Sequence, residues 1–270
     1  MSQSAGAARA KRLEAAGSAP PQAGSFVHAG AFKSQAIEGS GQVSIDPAHS
    51  DHPLYQDWTS RDWPEQVVGG PAKRAFDCIV AMVLLIFLAP VLAVIALTIF
   101  VQDGGSPIFA HLRVGAGGRP FRCFKFRSMV TDGEARLAAL FASNPAALDE
   151  WSRTRKLMND PRVTRVGQVL RKRSLDELPQ LLNVLRGDMS LVGPRPIVAD
   201  ELNRYGLDRV HYLRARPGLT GLWQVSGRSL TTYDRRVALD KSYALNWSLS
   251  GDLVILARTI PTVLLRRGAL

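Results

Sequence analysis

Asp176 and Glu177 stand side by side in Ser174-Leu175-Asp176-Glu177-Leu178-Pro179-Gln180-Leu181-Leu182-Asn183-Val184-Leu185, directly after the basic run Arg171-Lys172-Arg173. Leu178, Leu181, Leu182 and Leu185 fall at i, i+3, i+4 and i+7, the spacing of one helix face. Pro179 cannot donate a helical hydrogen bond, so it belongs in the first turn and puts both acids at the helix start. Unpaired backbone N–H groups and the helix dipole make that end electropositive. A carboxylate nucleophile, a place for a divalent cation and a cradle for phosphate therefore meet within one turn. The same letters also spell a capping box, Ser174-x-x-Glu177, in which Glu177 would only accept the Ser174 N–H. The segment alone admits both readings.

Further cationic residues are spaced for anion binding. Lys125 and Arg127 are two apart in Arg119-Pro120-Phe121-Arg122-Cys123-Phe124-Lys125-Phe126-Arg127-Ser128-Met129. On a strand they share a face and can grip a diphosphate, although isolated charges of this kind are ordinarily solvated. Arg195 lies between Pro194 and Pro196, a stiffly held guanidinium whose structural role would be to bond loop carbonyls. Arg228 closes Gly218-Leu219-Thr220-Gly221-Leu222-Trp223-Gln224-Val225-Ser226-Gly227, read as a turn, a short strand and a turn, and is a candidate phosphate or uridine contact. Gly115, Gly117 and Gly118 form no nucleotide loop, since no Gly-Lys-Ser/Thr follows and no GxGxxG spacing occurs. Cys78 and Cys123 make neither a disulfide framework nor a zinc pair, which suits a reduced, cytoplasmic setting.

The elements that must position these residues follow from charge and hydropathy. The formal charge is +11, carried by the part after residue 101, since the first 101 residues have one more acid than base. Such a basic body calls for anionic partners: phosphates, nucleic acid or an anionic membrane face. Residues 1–68 are rich in Ala, Gly, Ser and Pro without apolar periodicity and read as a disordered tail, with His28, His49 and His52 as solvated loop residues. No secretory signal is apparent. Ile79–Val101 is 23 residues without a charge, long enough to cross a bilayer. With Lys73 and Arg74 inside, a crossing would put the basic body outside. Pro90, midway, can bend the helix and return it to the same side. Around the glycines, two extended runs predict a hairpin. Residues 133–158 predict two short amphipathic helices, either interfacial or core-facing. Asp252–Arg267 predicts an interfacial or packing helix, with Trp223, Tyr243 and Trp247 near the headgroup boundary.

Two blocks, Ser174 to Leu185 and Gly187-Asp188-Met189-Ser190-Leu191-Val192-Gly193-Pro194-Arg195-Pro196, resemble the core of the bacterial sugar transferases. These are monotopic polyprenyl-phosphate phosphoglycosyl transferases, here of the short exopolysaccharide-initiating type. Lys125-Phe126-Arg127-Ser128-Met129, the approach from Arg162 to Arg171, and Arg216 to Arg228 extend the resemblance over about residues 71–270. It implies an α+β fold: a re-entrant membrane helix and a small cytoplasmic catalytic domain with short strands and interfacial amphipathic helices, spanning residues 69–270. The family's usual break in that helix is Ser-Pro; here it is Ala89-Pro90, one hydroxyl fewer. The implied reaction moves a sugar 1-phosphate from a UDP-sugar, glucose or galactose, to undecaprenyl phosphate and releases UMP at the bacterial inner membrane. By resemblance, Asp176 is the nucleophile and a Mg2+ ligand. Glu177 steers protons or positions the lipid phosphate, and Lys125, Arg127, Arg171, Arg195 and Arg228 bind phosphates or nucleotide. Two other classes fit parts of the sequence. A membrane-tethered nucleic-acid binder fits the charge but shows no recognition motif. A non-catalytic scaffold fits the membrane segment but not an intact acid pair.

Overall fold

The computed structural model describes residues 44–45, 67–154, 157–227 and 231–264. Arg228 and the tail histidines lie outside the described residues.

A single 34-residue helix, α1 (Gly70–Asp103), dominates the molecule and runs unbroken through Pro90, where the Ile86 carbonyl receives no N–H. Pro71 sits in its first turn, and Gly104, at φ 68°, ends it by donating to the Phe100 carbonyl. Its sequence is apolar all round, but its burial has the period of a helix. Lys73, Asp77, Ala81, Leu84, Leu85, Leu88, Leu92, Ile95, Ala96 and Ile99 turn inward along the body. Ile79, Val83, Ile86, Phe87, Val94, Leu97 and Val101 are exposed on the other side. Among the described residues, α1 is the one helix long and apolar enough to cross a membrane. The protein is membrane-associated through it.

Polar contacts fix the start of α1 inside the body. Lys73 Nζ lies 2.6 Å from Asp252 Oδ2 and 3.8 Å from Asp77 Oδ1, all three side chains buried. Arg74 bonds the Val184 and Leu185 carbonyls, the open end of a later helix. The Leu191 N–H donates to Asp77 at 3.2 Å.

The expected hairpin is present: β2 (Ile108–Val114) pairs antiparallel with β3 (Pro120–Phe126) around a 3-10 turn at Ala116–Gly118. Gly117 takes φ 65° there, which a Cβ would oppose. Within the segment expected as tail, β1 (Ser44–Ile45) pairs in parallel with β2, opposite Phe109 and Ala110. The two amphipathic helices are α2 (Gly133–Ser143) and α3 (Pro145–Thr154), and α2 buries no residue. Next come α4 (Arg165–Lys172), a 3-10 turn at Leu175–Glu177, and α5 (Gln180–Arg186). A second sheet pairs β4 (Ser190–Val192) with β5 (Gly218–Thr220) in parallel. Between those strands lie α6 (Ala199–Leu202) and α7 (Arg209–Leu213), and after them α8 (Leu222–Val225), α9 (Tyr233–Leu245) and α10 (Leu249–Leu264).

Three expectations need correction. The inward face of α5 is Leu181 and Val184 with Gln180 and Asn183, while Leu182 is 45% exposed. The cause is polar: Asn183 is wholly buried, accepts from the Phe124 N–H at 2.9 Å and donates to the Arg122 carbonyl at 2.7 Å, locking α5 to β3. Leu222–Val225 is a helical turn rather than an irregular one. Trp223 and Tyr243 are buried in protein instead of lying at a headgroup boundary. The Tyr243 hydroxyl sits 2.9 Å from Asp252, and the Trp247 Nε1–H donates to the same carboxylate at 3.0 Å.

Candidate active site

Both acids lie on the 3-10 turn Leu175–Glu177 that precedes α5. Ser174 enters it at φ 56°, the one non-glycine residue with positive φ among those described, a conformation costly for a side chain. The capping box does not form. Ser174 makes no side-chain cap, its N–H goes to the Arg171 carbonyl at 3.1 Å, and Glu177 points elsewhere. Glu177 Oε1 is 2.5 Å from Lys125 Nζ, on β3. Strand β3 and the acid turn are thus joined across 52 residues of sequence by a charged pair.

Helix α4 is held against the chain just past β3. A Cβ on Gly167 would come within 2.0 Å of the Ser128 carbonyl, so only glycine allows that approach. It lets Arg171 Nε donate to Ser128 Oγ at 2.8 Å. Arg127 lies one residue beyond β3, and its guanidinium is paired with Asp103 at the end of α1. Lys125 and Arg127 therefore hold separate acids, while both line the same cavity. Arg195 stacks on Trp223, its Cζ 5.4 Å from the ring centroid.

That cavity has a volume of about 1890 Å³. Asp176, Glu177, Lys125, Arg171 and Arg195 line one part of it; Val80 and Leu84 of α1 with Leu256 and Ile260 of α10 line another. Asp176 is 9% exposed. Burial raises its carboxyl above the usual range, Lys125 opposes that, and the neighbouring Glu177 adds to it. Burial would raise Glu177 too, but Lys125, Arg195 and Arg113 outweigh it and bring its carboxyl below the usual range. The site thus holds one firmly ionised acid beside one that gives up its proton less readily.

Arg113 carries no signal in composition. It becomes visible only as the third member of Phe109, His111 and Arg113, alternate residues of β2 that all line the cavity. Burial and then Arg195 lower its pKa. No three metal-ligating side chains cluster among the described residues. Two adjacent carboxylates fit Mg2+, which takes one or two protein oxygens and fills its shell with water and phosphate.

The sequence profile of the bacterial sugar transferases matches residues 68–266. The chain is 55% identical over 202 residues to the exopolysaccharide production protein ExoY of Rhizobium meliloti, covering 75% of this chain and 89% of that one. It is 52% identical over 197 residues to the undecaprenyl-phosphate galactose phosphotransferase of Salmonella typhimurium, covering 73% and 41%. It is 40% identical over 200 residues to the UDP-glucose:undecaprenyl-phosphate glucose-1-phosphate transferase of Caulobacter vibrioides, covering 71% and 69%. The chain belongs to the bacterial sugar transferase family, in its exopolysaccharide-initiating branch, and is a phosphoglycosyl transferase.

Proposed function

We propose that this enzyme transfers a sugar 1-phosphate from a UDP-sugar to undecaprenyl phosphate, releasing UMP, as the first membrane step of exopolysaccharide synthesis. One observation carries the reading: a single cavity joins an acid pair and several cations to an apolar wall made partly by α1. A phosphorylated lipid needs that combination. Relatives named for galactose and for glucose make one of these two the donor sugar.

In the first step the Asp176 carboxylate attacks the sugar-bearing phosphorus. The bond to the UMP oxygen breaks, and the phosphosugar is held on Asp176 as an acyl phosphate. In the second, an oxygen of the lipid phosphate attacks that phosphorus and Asp176 leaves as a carboxylate. Lys125, Arg171 and Arg195 hold the phosphates, with Arg127 and Arg228 as further contacts. Glu177 keeps Lys125 in place and helps position the lipid phosphate. Asp176 would hold Mg2+, which when bound offsets diphosphate charge.

The membrane segment is read as re-entrant, with the catalytic body on the cytoplasmic face of the inner membrane. Supporting this, the inward face of α1 leans on the body from Lys73 to Ile99. A crossing helix would have to draw that body into the hydrocarbon.

The test is a panel of UDP-sugars with purified enzyme and undecaprenyl phosphate, read as UMP release. Donor alone should leave a phosphosugar adduct on the wild type and none on Asp176→Asn, whose turnover should fall by several orders of magnitude. A ternary-complex rate law without any adduct would sink the covalent route.

A further inference from the structure

One stretch of the cavity wall, away from the acid pair, carries polar atoms that nothing in the protein satisfies. They are Trp223 Nε1 and Gln224 Oε1 on α8 and Arg236 Nε on α9. Trp223 is 8% exposed, and Arg236 Cζ lies 5.8 Å from its ring centroid. The other atoms of these side chains are engaged in ways that fix the three orphans. Gln224 Nε2 donates to the Leu219 carbonyl at 3.3 Å, which leaves Oε1 as the free acceptor. Arg236 reaches Glu201 through its NH2 group at 3.5 Å and stacks on Tyr233 at 4.2 Å, which leaves the Nε–H. Buried polar groups are ordinarily paired, and three orphans in one cavity wall describe a ligand edge.

The set is two donors and one acceptor. Its complement has two acceptors and one donor, as on uracil, where two ring carbonyls flank N3–H. Guanine and adenine edges each offer a single acceptor there. Cytosine has the right count but puts a bare nitrogen at position 3, which would face the Gln224 oxygen unfavourably. Arg195 lies on the Trp223 ring and also acts on Glu177, so this wall adjoins the phosphate end of the cavity. A nucleotide laid between the two puts its phosphates toward Asp176 and its base on α8.

We propose that this wall reads the pyrimidine base of the nucleotide donor: Gln224 Oε1 accepts from uracil N3–H, while Trp223 Nε1–H and Arg236 Nε–H donate to its two carbonyls. To reach them the base slides past the Arg195 and Arg236 guanidiniums that cover Trp223. This rests on the UDP-sugar reading above and adds residues that set base selectivity.

Calorimetric binding of UMP, 3-methyl-UMP and CMP to the full-length protein in detergent tests it. The wild type should bind UMP at least about tenfold more tightly than 3-methyl-UMP, whose N3 carries no hydrogen, or CMP. Gln224→Met should lose that preference. Gln224→Glu, which keeps an acceptor, should retain the preference for UMP over 3-methyl-UMP. Equal binding of UMP and 3-methyl-UMP by the wild type, with UDP-sugars still turned over, overturns the base reading alone. So does a Gln224→Met enzyme that keeps the preference for UMP but changes its KM ratio among UDP-sugars, because the wall would then touch the sugar. N3-selective UMP binding without UMP release from any UDP-sugar upholds the base site and sinks the donor reading.

Discussion

Removing the charge of Lys125 should move the ionisation of Asp176 in one direction, and removing that of Glu177 should move it in the other. Burial raises the Asp176 carboxyl, Lys125 is the largest influence opposing that, and Glu177 adds to the rise. In Lys125→Met the Asp176 carboxyl therefore keeps its proton to higher pH, and the acid limb of the kcat/KM profile moves up. In Glu177→Gln a repelling charge is gone and the limb moves down. The pair sits at 2.5 Å, with side chains 28% and 36% exposed. A charge-assisted bond is worth about 1.5–3 kcal/mol. This exposure puts the pair near about 1.5 kcal/mol, roughly a tenfold loss of kcat/KM for Glu177→Gln at neutral pH. The double variant should lie closer to the wild type than the two losses multiplied together. The assay is UMP release at saturating undecaprenyl phosphate over a range of pH for all four proteins. Limbs that stay put, or losses that add to within about 0.5 kcal/mol, would refute the coupling. An unimpaired Glu177→Gln would return Glu177 to a purely structural role.

Lys73→Met should strip a buried carboxylate of its cation, since Asp252 is 0% exposed. The expected cost is about 3–5 kcal/mol; at about 3 kcal/mol the apparent Tm in detergent drops by roughly 6–12 °C, and a loss of under 1 kcal/mol would show that the pair is not what fixes α1. Tags at residues 1 and 270 should both report the cytoplasm, and Pro90→Leu should shift α1 toward crossing; a periplasmic N-terminal tag on the wild type would restore the crossing helix. Deleting residues 2–65 removes β1 and should cost less than about tenfold in turnover, because β1 gives the edge of β2 only two paired positions; a larger loss would show that this segment closes the cavity beside Phe109 and His111.

What the sequence discloses tracks which interactions are local. The hairpin was legible because glycine punctuation and strand alternation act over a few residues. The start of α5 was legible because Pro179 admits few positions. The inward face of α5 was not, because it is set by Asn183, whose bonds to Phe124 and Arg122 span 59 and 61 residues. A periodicity of apolar letters has no term for a buried amide. Lys125 was found as a candidate, but not its acid: the capping pattern offered Ser174 as the partner of Glu177, and a positive φ at Ser174 is invisible in one-letter code. Arg113, Trp223, Gln224 and Arg236 gained meaning only when β2, α8 and α9 were brought round one cavity. For α1, hydropathy gave the length correctly and was blind to its two faces, since both are apolar.

The ion pair between Lys73 and Asp252 also sets a clock. The partners are 179 residues apart, and synthesis makes the lysine first. At about 5–20 residues per second, roughly 9–36 s pass before the acid is even joined to the chain. Throughout that interval the nascent first helix carries a cation with no resident counterion, and the Arg74 guanidinium likewise awaits the Val184 and Leu185 carbonyls. Lipid headgroups or a holding factor must shield that end of the helix until the last one is made. A ribosome that stalls before Asp252 leaves the vigil unfinished, and the truncated product is a natural substrate for membrane quality control.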